Sequence, residues 1–317
     1  MAKIIIKPQD IERVVAANPA KDSHALNYFV SRPCKNTSYI AVKDVFEQIG
    51  NIPVIKRGDV GYRPKSSSSA NLIEPMPIEI DDGFTAVELD DYERSDAQGR
   101  QQMIDEKLAQ HLEIIRNTTR ALAIQAHQGK IDYMMQSGGS LVRYEVDYGS
   151  IGSITSSVSL AALQVSDLIT AFNDSIDKMA ENEVGGSVEF IASRDVFTAI
   201  VNAAAGQKAY AISVAPGSIT IGGFTVLLDN DFYTDQDETG AKKTIRLLKE
   251  KQLLARATQA GQSMPYFKLD DVVMRKAIPF YSFIKDRDDQ RGVNIYSKSK
   301  PLPLINAKGI VITTFKA

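Results

Sequence analysis

The sequence predicts an α+β fold, and three features of the 317-residue chain carry that prediction. Apolar residues recur at helical spacing over residues 100–128, which is typical of one long amphipathic helix. Residues 141–148 alternate apolar and charged side chains, as a half-buried strand does. The segment Val293–Ala317 is rich in β-branched residues and is interrupted by a corner that contains two prolines. Residues 160–265 fit an α/β or an α+β unit, so the chain as a whole is predicted to be α+β.

The C-terminal segment predicts two strands separated by a rigid corner. The first strand is expected over Val293–Ser297 and the second over Ile310–Phe315. Pro301 and Pro303 lie between them, and because each proline fixes φ and lacks a backbone donor, the corner cannot lie within a central strand. A terminus made of strand-forming residues is usually tied into a sheet. The last strand is therefore expected to close a domain that opens much earlier, around residues 84–150.

Bulk composition indicates a globular protein of one large or two ordinary domains. Apolar residues make up 44% of the chain, and 37 Lys and Arg stand against 39 Asp and Glu, for a net charge of −2. This balance lacks the positive field that usually accompanies nucleic-acid binding. Cys34 is the single cysteine, so an internal disulfide framework is excluded. No apolar run approaches the ~20 residues that span a bilayer, and a soluble cytoplasmic protein is expected.

Residues 1–83 are expected to be extended rather than globular. Residues 1–50 carry turn signals and no dominant amphipathic element, apart from a short predicted helix at Asp44–Ile49, so they are interpreted as an arm that depends on another surface. Residues 51–83 place two extended arms around a Gly/Ser-rich tip, which predicts a long, thin hairpin. A two-stranded hairpin is marginally stable alone in water, so this one is expected to need a partner surface.

The charges of this hairpin region are unevenly distributed. The first arm carries the four residues that are predicted to contact another subunit: Lys56, Arg57, Arg63 and Lys65. The segment that follows, Ile78–Asp96, is strongly acidic. Opposite patches on copies of one chain can steer and align a contact between them. Two separately solvated faces remain the alternative explanation of the charges.

The long helix is the strongest single prediction. Its apolar stripe consists of Ile104, Leu108, Leu112, Ile115, Leu122 and Ala126. Gly129 follows as a stop signal. At 1.5 Å per residue the helix is about 40 Å long, enough to act as the spine of a domain. Strands are predicted at 130–135 and 141–148, and the Gly/Ser-rich stretch 149–159 is predicted to be a connection and domain hinge.

The following segment combines helices and strands around an acidic stretch. The predicted elements are helices at Val165–Glu183 and Arg194–Ala204 and strands at Val188–Ala192, Ser218–Leu228 and Thr244–Leu248, with a strand-rich stretch at Pro265–Tyr281. The acidic stretch Asp229–Gly240 has a spacing that suggests calcium. It lacks the glycine and the bidentate glutamate that an EF-hand loop needs, so an exposed hairpin loop is expected instead.

The sequence offers no convincing active site. His24, His111 and His127 are scattered, and the last two lie too far apart on the predicted helix to share a metal. They are interpreted as surface histidines or as histidines with ordinary hydrogen-bond partners. No phosphate-binding glycine loop, paired zinc-type cysteines or nucleophile motif is present. The chain is therefore predicted not to be an enzyme, and no catalytic residue, metal or cofactor is predicted.

Three stretches in order resemble the major capsid proteins of tailed double-stranded-DNA phages, and more narrowly the lambda-type major capsid protein E family. They are the helix and strand end at Glu113–Tyr133 with Glu145–Gly149, the strand Ile219–Val226, and the tail Asn294–Leu304. The order and spacing of these three stretches carry the resemblance. It extends from about residue 40 onward.

The resemblance implies a Hong Kong 97-type capsid fold and a role for each segment. Residues 1–50 would be the N-terminal arm, and residues 51–83 the E-loop that lies over a neighbouring subunit. Residues 84–150 and 266–317 would form the peripheral domain, and residues 151–265 the axial domain at pentamer and hexamer centres. Covalent crosslinking through lysine and asparagine occurs in some relatives but is not predicted here.

The implied function is that of a major capsid protein that assembles itself into the icosahedral head shell enclosing the double-stranded DNA of a tailed bacteriophage. Expected partners are copies of the chain in pentamers and hexamers, with scaffold, portal and decoration proteins as further candidates. DNA would be enclosed without sequence-specific binding, and no membrane or cofactor is expected. The expected location is the virion, after assembly in the host cytoplasm. Two alternatives stay open: an encapsulin-like nanocompartment shell, and a calcium- or carbohydrate-binding surface module.

Overall fold

The computed structural model describes residues 5–41, 72–205, 207, 210–236, 241–271, 274–286 and 293–316. The helices are α1 (Pro8–Ala17), α2 (His24–Asn27), α3 (Ala86–Arg94), α4 (Ala97–Ala126), α5 (Val165–Ala180) and α6 (Arg194–Ala204). The strands are β1 (Cys34–Lys35), β2 (Ile40–Ala41), β3 (Leu72–Ile73), β4 (Ile78–Phe84), β5 (Lys130–Ser137), β6 (Ser140–Asp147), β7 (Gly152–Ser159), β8 (Val188–Ala192), β9 (Ile212–Ala215), β10 (Ser218–Ile221), β11 (Phe224–Leu228), β12 (Phe232–Gln236), β13 (Lys242–Arg246), β14 (Gln252–Ala257), β15 (Tyr266–Phe267), β16 (Tyr281–Asp286), β17 (Val293–Ser299) and β18 (Ile310–Lys316).

The predicted spine helix is confirmed as α4. Asp96 caps its N-terminus by accepting a hydrogen bond from the Gly99 amide at 2.8 Å. The helix stops just before Gly129, which has a φ of 86°. A Cβ at Gly129 would lie 2.9 Å from the carbonyl oxygen of Gly149, so glycine is needed both for the turn and for this close approach.

A three-stranded sheet in the order β16-β17-β4 packs on the first half of α4. β17 lies between the other two strands and is antiparallel to both. Phe84 and Ile295 are buried against Ile104 and Leu108 of the helix. Because β4 belongs to the second arm of the predicted hairpin, the described part of that arm is extended, as predicted.

A seven-stranded sheet in the order β7-β18-β14-β8-β11-β10-β9 forms the other large unit. Helices α5 and α6 pack against it and enclose a second core around Phe172, Phe190 and Val196. The predicted bounds of β8 and α6 agree with the structure.

The last strand lies in this larger sheet. β18 pairs antiparallel with β14 and parallel with β7, so it does not pair with a strand of the segment around residues 84–150, although Ile310 packs in the core that this segment forms. The other tail strand, β17, pairs with β4, which ends at Phe84 where that segment begins. The proline corner between them is buried at Leu302 and Leu304, and the Leu304 amide donates to the Ser263 carbonyl oxygen at 2.8 Å. The corner therefore carries the chain from one sheet to the other.

Residues 149–159 also differ from the prediction of a hinge. Residues 152–159 form β7, an edge strand along β18. A Cβ on Gly152 would meet Cγ2 of Val311 at 2.8 Å, so glycine permits the close pairing. Pairing with β18 thus overrides the weak strand propensity of a Gly/Ser-rich segment.

The described part of the predicted arm folds onto its own chain. Helix α1 begins at Pro8, and Val14 is buried against α4. The guanidinium of Arg13 donates to both carboxylate oxygens of Asp105 at 2.8 and 3.0 Å. Tyr28 and Phe29 are buried in the central core, and β1 pairs with β15. Residues 5–41 therefore draw their stability from this chain, whereas the helix predicted at Asp44–Ile49 lies outside the described residues.

Candidate assembly surfaces

The four predicted contact residues, Lys56, Arg57, Arg63 and Lys65, lie outside the described residues. The structure does describe the base from which their segment departs. β2 and β3 pair antiparallel, with Ile40 opposite Ile73, so the chain enters and leaves residues 42–71 on adjacent strands. Leu72 at this base is 59% exposed.

The acidic segment Ile78–Asp96 is largely engaged within the chain. Lys107 lies 3.1 Å from Glu88 and 3.6 Å from Asp82, and Lys298 lies 3.2 Å from Glu79. Glu88 also accepts from the Thr85 amide at 2.7 Å in a capping box, and this hydrogen bond lowers its pKa. Through these ion pairs the carboxylates connect β4 and α3 to α4, and β4 to β17. Their contacts give no support to the hypothesis that the segment pairs with a basic patch on another copy.

A stack of aromatic rings lies on the face of the three-stranded sheet that points away from α4. The ring of Phe283 lies 5.5 Å from that of Tyr281 and 5.2 Å from that of Tyr296, with the planes nearly parallel. All three rings are half-exposed. Aromatic side chains are enriched in protein interfaces. This stack, next to the strand that leads from the hairpin, is a candidate assembly surface.

A second candidate surface is the hairpin of β5 and β6. One face carries paired apolar residues from a buried base, Ile131 with Val146, to the half-exposed pair of Tyr133 and Tyr144. The next pair on that face contains Val142, which is 37% exposed. A groove of 560 Å³ runs between this hairpin, α4 and the start of β4.

The structure describes residues 229–236 of the acidic stretch that was predicted as an exposed hairpin loop, and residues 232–236 form β12, which pairs antiparallel with β13. The start of the stretch is buried rather than exposed. Asp229 and Asp231 are only 3% and 4% exposed. Asp229 accepts hydrogen bonds from the amides of Asp231 and Leu248, at 2.9 and 3.0 Å, and its burial raises its pKa. Asp231 accepts from the Ala25 amide at 2.6 Å. The two carboxylates satisfy backbone donors of a turn and of α2, a role that side-chain spacing in the sequence does not reveal.

A buried polar network joins the two large units. Arg256 is 1% exposed, and Glu189 accepts from its Nε at 2.8 Å and from its Nη2 at 2.6 Å. Its guanidinium also lies 4.7 Å from the ring centroid of Tyr28. The third contact of Arg256 is with His127, at the end of α4. Sequence reasoning missed this network because its members lie far apart in the chain.

His111 in α4 and His127, the residue just after α4, are buried rather than on the surface. Nδ1 of His111 lies 2.8 Å from the Ser297 hydroxyl, and His127 Nδ1 lies 2.8 Å from the Ala123 carbonyl oxygen. Burial lowers the pKa of His111, and the pKa of His127 falls to about 3 through burial and the nearby charge of Arg256. Both are therefore neutral at pH 7. The Nδ1 atom of each ring has a hydrogen-bond partner, as in the second interpretation given from the sequence, whereas the buried Nε2 of His111 has none among the described residues.

Over the described ranges, no group of three or more His, Cys, Asp or Glu side chains is arranged to hold a metal ion. Among the helices that the structure describes, none is long and apolar enough to cross a membrane.

Comparison with known proteins identifies the family. The sequence matches the family described as phage major capsid protein E over residues 21–315. No curated protein matches the sequence. A solved protein assigned as a prophage capsid protein of Escherichia coli CFT073 superposes with a TM-score of 0.67 at 13% identity, covering 99% of this chain and 100% of its own.

Two further structures share the architecture. A phage-related protein from Bordetella bronchiseptica RB50 gives a TM-score of 0.52 at 6% identity, with 99% of this chain and 98% of its own covered. The SrpI encapsulin from Synechococcus elongatus PCC 7942 gives 0.50 at 10% identity, with 98% and 96% covered. These likenesses confirm the predicted Hong Kong 97-type α+β fold. Because the family match spans nearly the whole sequence, the chain belongs to the phage major capsid protein E family and is a shell-forming capsid protein.

Proposed function

We propose that this chain is the major capsid protein of a tailed bacteriophage, many copies of which form an icosahedral head shell around double-stranded DNA. The observation that carries the proposal is the family match over residues 21–315. Copies of the chain associate with one another, because the family to which it belongs forms shells. The pentamer and hexamer arrangement, the enclosed DNA, and contacts with scaffold, portal and decoration proteins are the further parts of the proposal. No catalytic step belongs to it.

The proposed division into domains follows the three-stranded sheet and the seven-stranded sheet. Residues 1–50 are assigned to the N-terminal arm and 51–83 to the E-loop. The peripheral domain comprises residues 84–150 and 266–309, built on α4 and the three-stranded sheet. The axial domain comprises residues 151–265 together with β18, because that strand pairs only with β14 and β7 among the described strands. Location in the virion, after assembly in the host cytoplasm, completes the proposal.

An encapsulin-like shell is the second candidate, and the TM-score of 0.50 to the SrpI encapsulin favours keeping it. The two candidates differ in cargo. Particles isolated from the source cells with DNA inside would support the phage head. Particles filled with a single co-purifying protein and free of DNA would support the nanocompartment. The acidic spacing that suggested a calcium- or carbohydrate-binding module no longer supports one, because Asp229 and Asp231 accept hydrogen bonds from backbone amides.

The hairpin at 51–83 offers a direct test of shell formation. Replacing residues 59–71 with a short Gly/Ser linker leaves the pairing of β2 with β3 in place. We expect folded subunits that no longer close into shells, because a long, thin hairpin of the kind predicted needs a neighbouring copy as its partner surface. Electron microscopy and circular dichroism would separate lost assembly from lost folding.

The matched control is the same linker inserted between Gly185 and Gly186, in the turn before β8. This variant should still form shells. Normal shells from the hairpin replacement would contradict the proposed role of the E-loop in shell closure. A second variant, with Lys56, Arg57, Arg63 and Lys65 all changed to Glu, tests whether positive charge on the first arm is needed for closure.

A further inference from the structure

A groove of 290 Å³ lies between the C-terminal end of α1 and the middle of α4. Its apolar lining includes the small residues Ala17, Ala20 and Ala109 together with Leu26. The charged residues of its lining are Lys21, Glu113, Arg116 and Arg120. Three cations thus face one carboxylate in a protein whose net charge is −2.

The single carboxylate in the groove is already paired. Nζ of Lys21 lies 2.5 Å from Oε1 of Glu113. Arg116 donates to the carbonyl oxygen of Asn18, and Nη2 of Arg120 donates to Oδ1 of Asn117 at 3.3 Å. No described carboxylate lies within ion-pair distance of either guanidinium. Two arginines therefore share one groove without an anion of their own.

This arrangement is unfavourable for the chain on its own. Nε of Arg120 is buried and has no acceptor among the described residues, and a buried donor without a partner is costly. Burial also lowers the pKa of Arg116. Like charges at i and i+4 of a helix repel each other. An anion bound from outside would relieve all three effects.

The positive charge continues beyond the groove. The guanidinium carbon of Arg120 lies 5.9 Å from the ring centroid of Phe232, an aromatic residue that is 47% exposed. Arg246 is the cross-strand neighbour of Phe232, and Lys242 lies farther along the same face of β13. Neither cation has an ion-pair partner among the described residues. We call these five residues, Arg116, Arg120, Phe232, Lys242 and Arg246, the cationic stripe.

We propose that the cationic stripe binds the phosphate backbone of nucleic acid inside the shell, which rests on the proposed enclosure of DNA. Guanidinium groups form forked hydrogen bonds with phosphate oxygens. Four cations suit a polyanion better than a single carboxylate, and the ring of Phe232 contacts the Arg120 guanidinium through a cation–π interaction. Backbone contacts carry no sequence information. A local stripe therefore agrees with an overall charge of −2 and with DNA that is enclosed without sequence preference.

The test measures the salt dependence of DNA binding. The full-length chain, before closure into shells, is titrated into a fluorescent DNA duplex of about 20 base pairs at salt concentrations from about 50 to 200 mM. Each phosphate contact contributes about 0.9 to the slope of log affinity against log salt. The variant Arg116→Gln/Arg120→Gln should lower that slope by nearly 2 and weaken binding several-fold at the lowest salt. The variant Arg116→Lys/Arg120→Lys, which keeps the charge, should retain most of the slope.

The matched control is Arg275→Gln/Lys276→Gln, which removes the same charge from two exposed cations elsewhere. Its slope should equal that of the wild type. Equal slopes for the groove variant and this control would overturn the proposal. Tighter binding of poly-glutamate than of DNA would also overturn it, since the groove would then serve an acidic polypeptide. Electron microscopy of the same wild-type protein under assembly conditions keeps the outcomes separate, because a failure of the proposed function would appear there as missing particles.

Discussion

Nη1 of Arg256 donates a hydrogen bond of 2.9 Å to Nε2 of His127, and this contact ties the seven-stranded sheet to the end of α4. Arginine has no acceptor atom, so His127 must accept through Nε2 and carry its proton on Nδ1. That proton is donated to the carbonyl oxygen of Ala123, 2.8 Å away. The tautomer of His127 is therefore fixed from both sides, and the neutral ring is the form that fits.

The first prediction concerns this junction. Arg256→Ala leaves the Glu189 carboxylate without its partner and His127 without a donor, so we expect a loss of about 3 kcal/mol in the free energy of unfolding. The measurement is denaturant unfolding of the unassembled chain. Arg194→Ala, at an exposed position of α6, is the control and should change the free energy by less than about 0.5 kcal/mol. Identical unfolding midpoints for the two variants would contradict the prediction.

The second prediction is a pH dependence that comes from His127. An unfolded histidine titrates near pH 6.5, whereas the pKa of His127 in the folded chain is about 3. Between these values the unfolded chain binds more protons, so the free energy of unfolding falls as the pH falls. The expected loss is on the order of 1 kcal/mol per pH unit below about pH 6.

Buried His111, whose pKa is also lowered, adds a loss of the same sign. It faces Asp82 and Lys107 as well as Ser297. His127→Gln keeps an oxygen that can accept from Arg256 but cannot titrate. The free energies of unfolding of wild type and this variant, measured at pH 7, 6 and 5, should therefore approach each other as the pH falls. A constant difference between the two at all three pH values would show that His127 does not titrate as described.

The third prediction concerns Gly83, near the end of β4. A Cβ at this position would lie 2.3 Å from the carbonyl oxygen of Val293 and 2.8 Å from Oδ1 of Asn294. The first of these atoms belongs to the backbone of β17 and cannot move aside. We expect Gly83→Ala to separate β4 from β17 and to cost about 1–3 kcal/mol in unfolding free energy. Since most of β4 belongs to the segment 51–83 that is proposed as the E-loop, shells should also form less efficiently.

Gly185→Ala is the matched control for this substitution. Nothing lies within 4 Å of a Cβ at Gly185, and its φ is not in the left-handed region. The free energy of unfolding should therefore change little, and light scattering should report normal assembly. Equal free energies of unfolding and equal assembly of the two alanine variants would show that the close approach at Gly83 does not require glycine.

Elements with strong local periodicity could be predicted from the sequence. The helix α4 was expected from residue 100 and begins at Ala97, while β8 and α6 have the expected bounds. Each of these elements carries its own hydrophobic pattern, so the local signal is sufficient. The strand β7 could not be recognised, because its Ser- and Gly-rich sequence is held extended only by pairing with β18. The same holds for the tail, where nothing local indicates that β18 joins a different sheet from β17.

The candidate sites were harder to predict than the fold. The groove is formed by α1 and α4, and the cationic stripe adds Phe232 and Arg246 from more than a hundred residues farther along the chain. One local signal was available: Arg116 and Arg120 repeat a positive charge at i and i+4. The aromatic stack likewise depends on sheet register, which places Phe283 opposite Tyr296.

The most direct test of a shell-forming capsid protein is electron microscopy of the expressed wild-type chain, combined with sedimentation to measure particle mass. A shell-forming chain should give uniform, closed, hollow particles or rings of five and six subunits. The subunit density obtained by averaging images of those particles should accommodate α4 and the three-stranded sheet as described. A protein that remains strictly monomeric under all conditions of pH, salt and concentration would contradict the central claim.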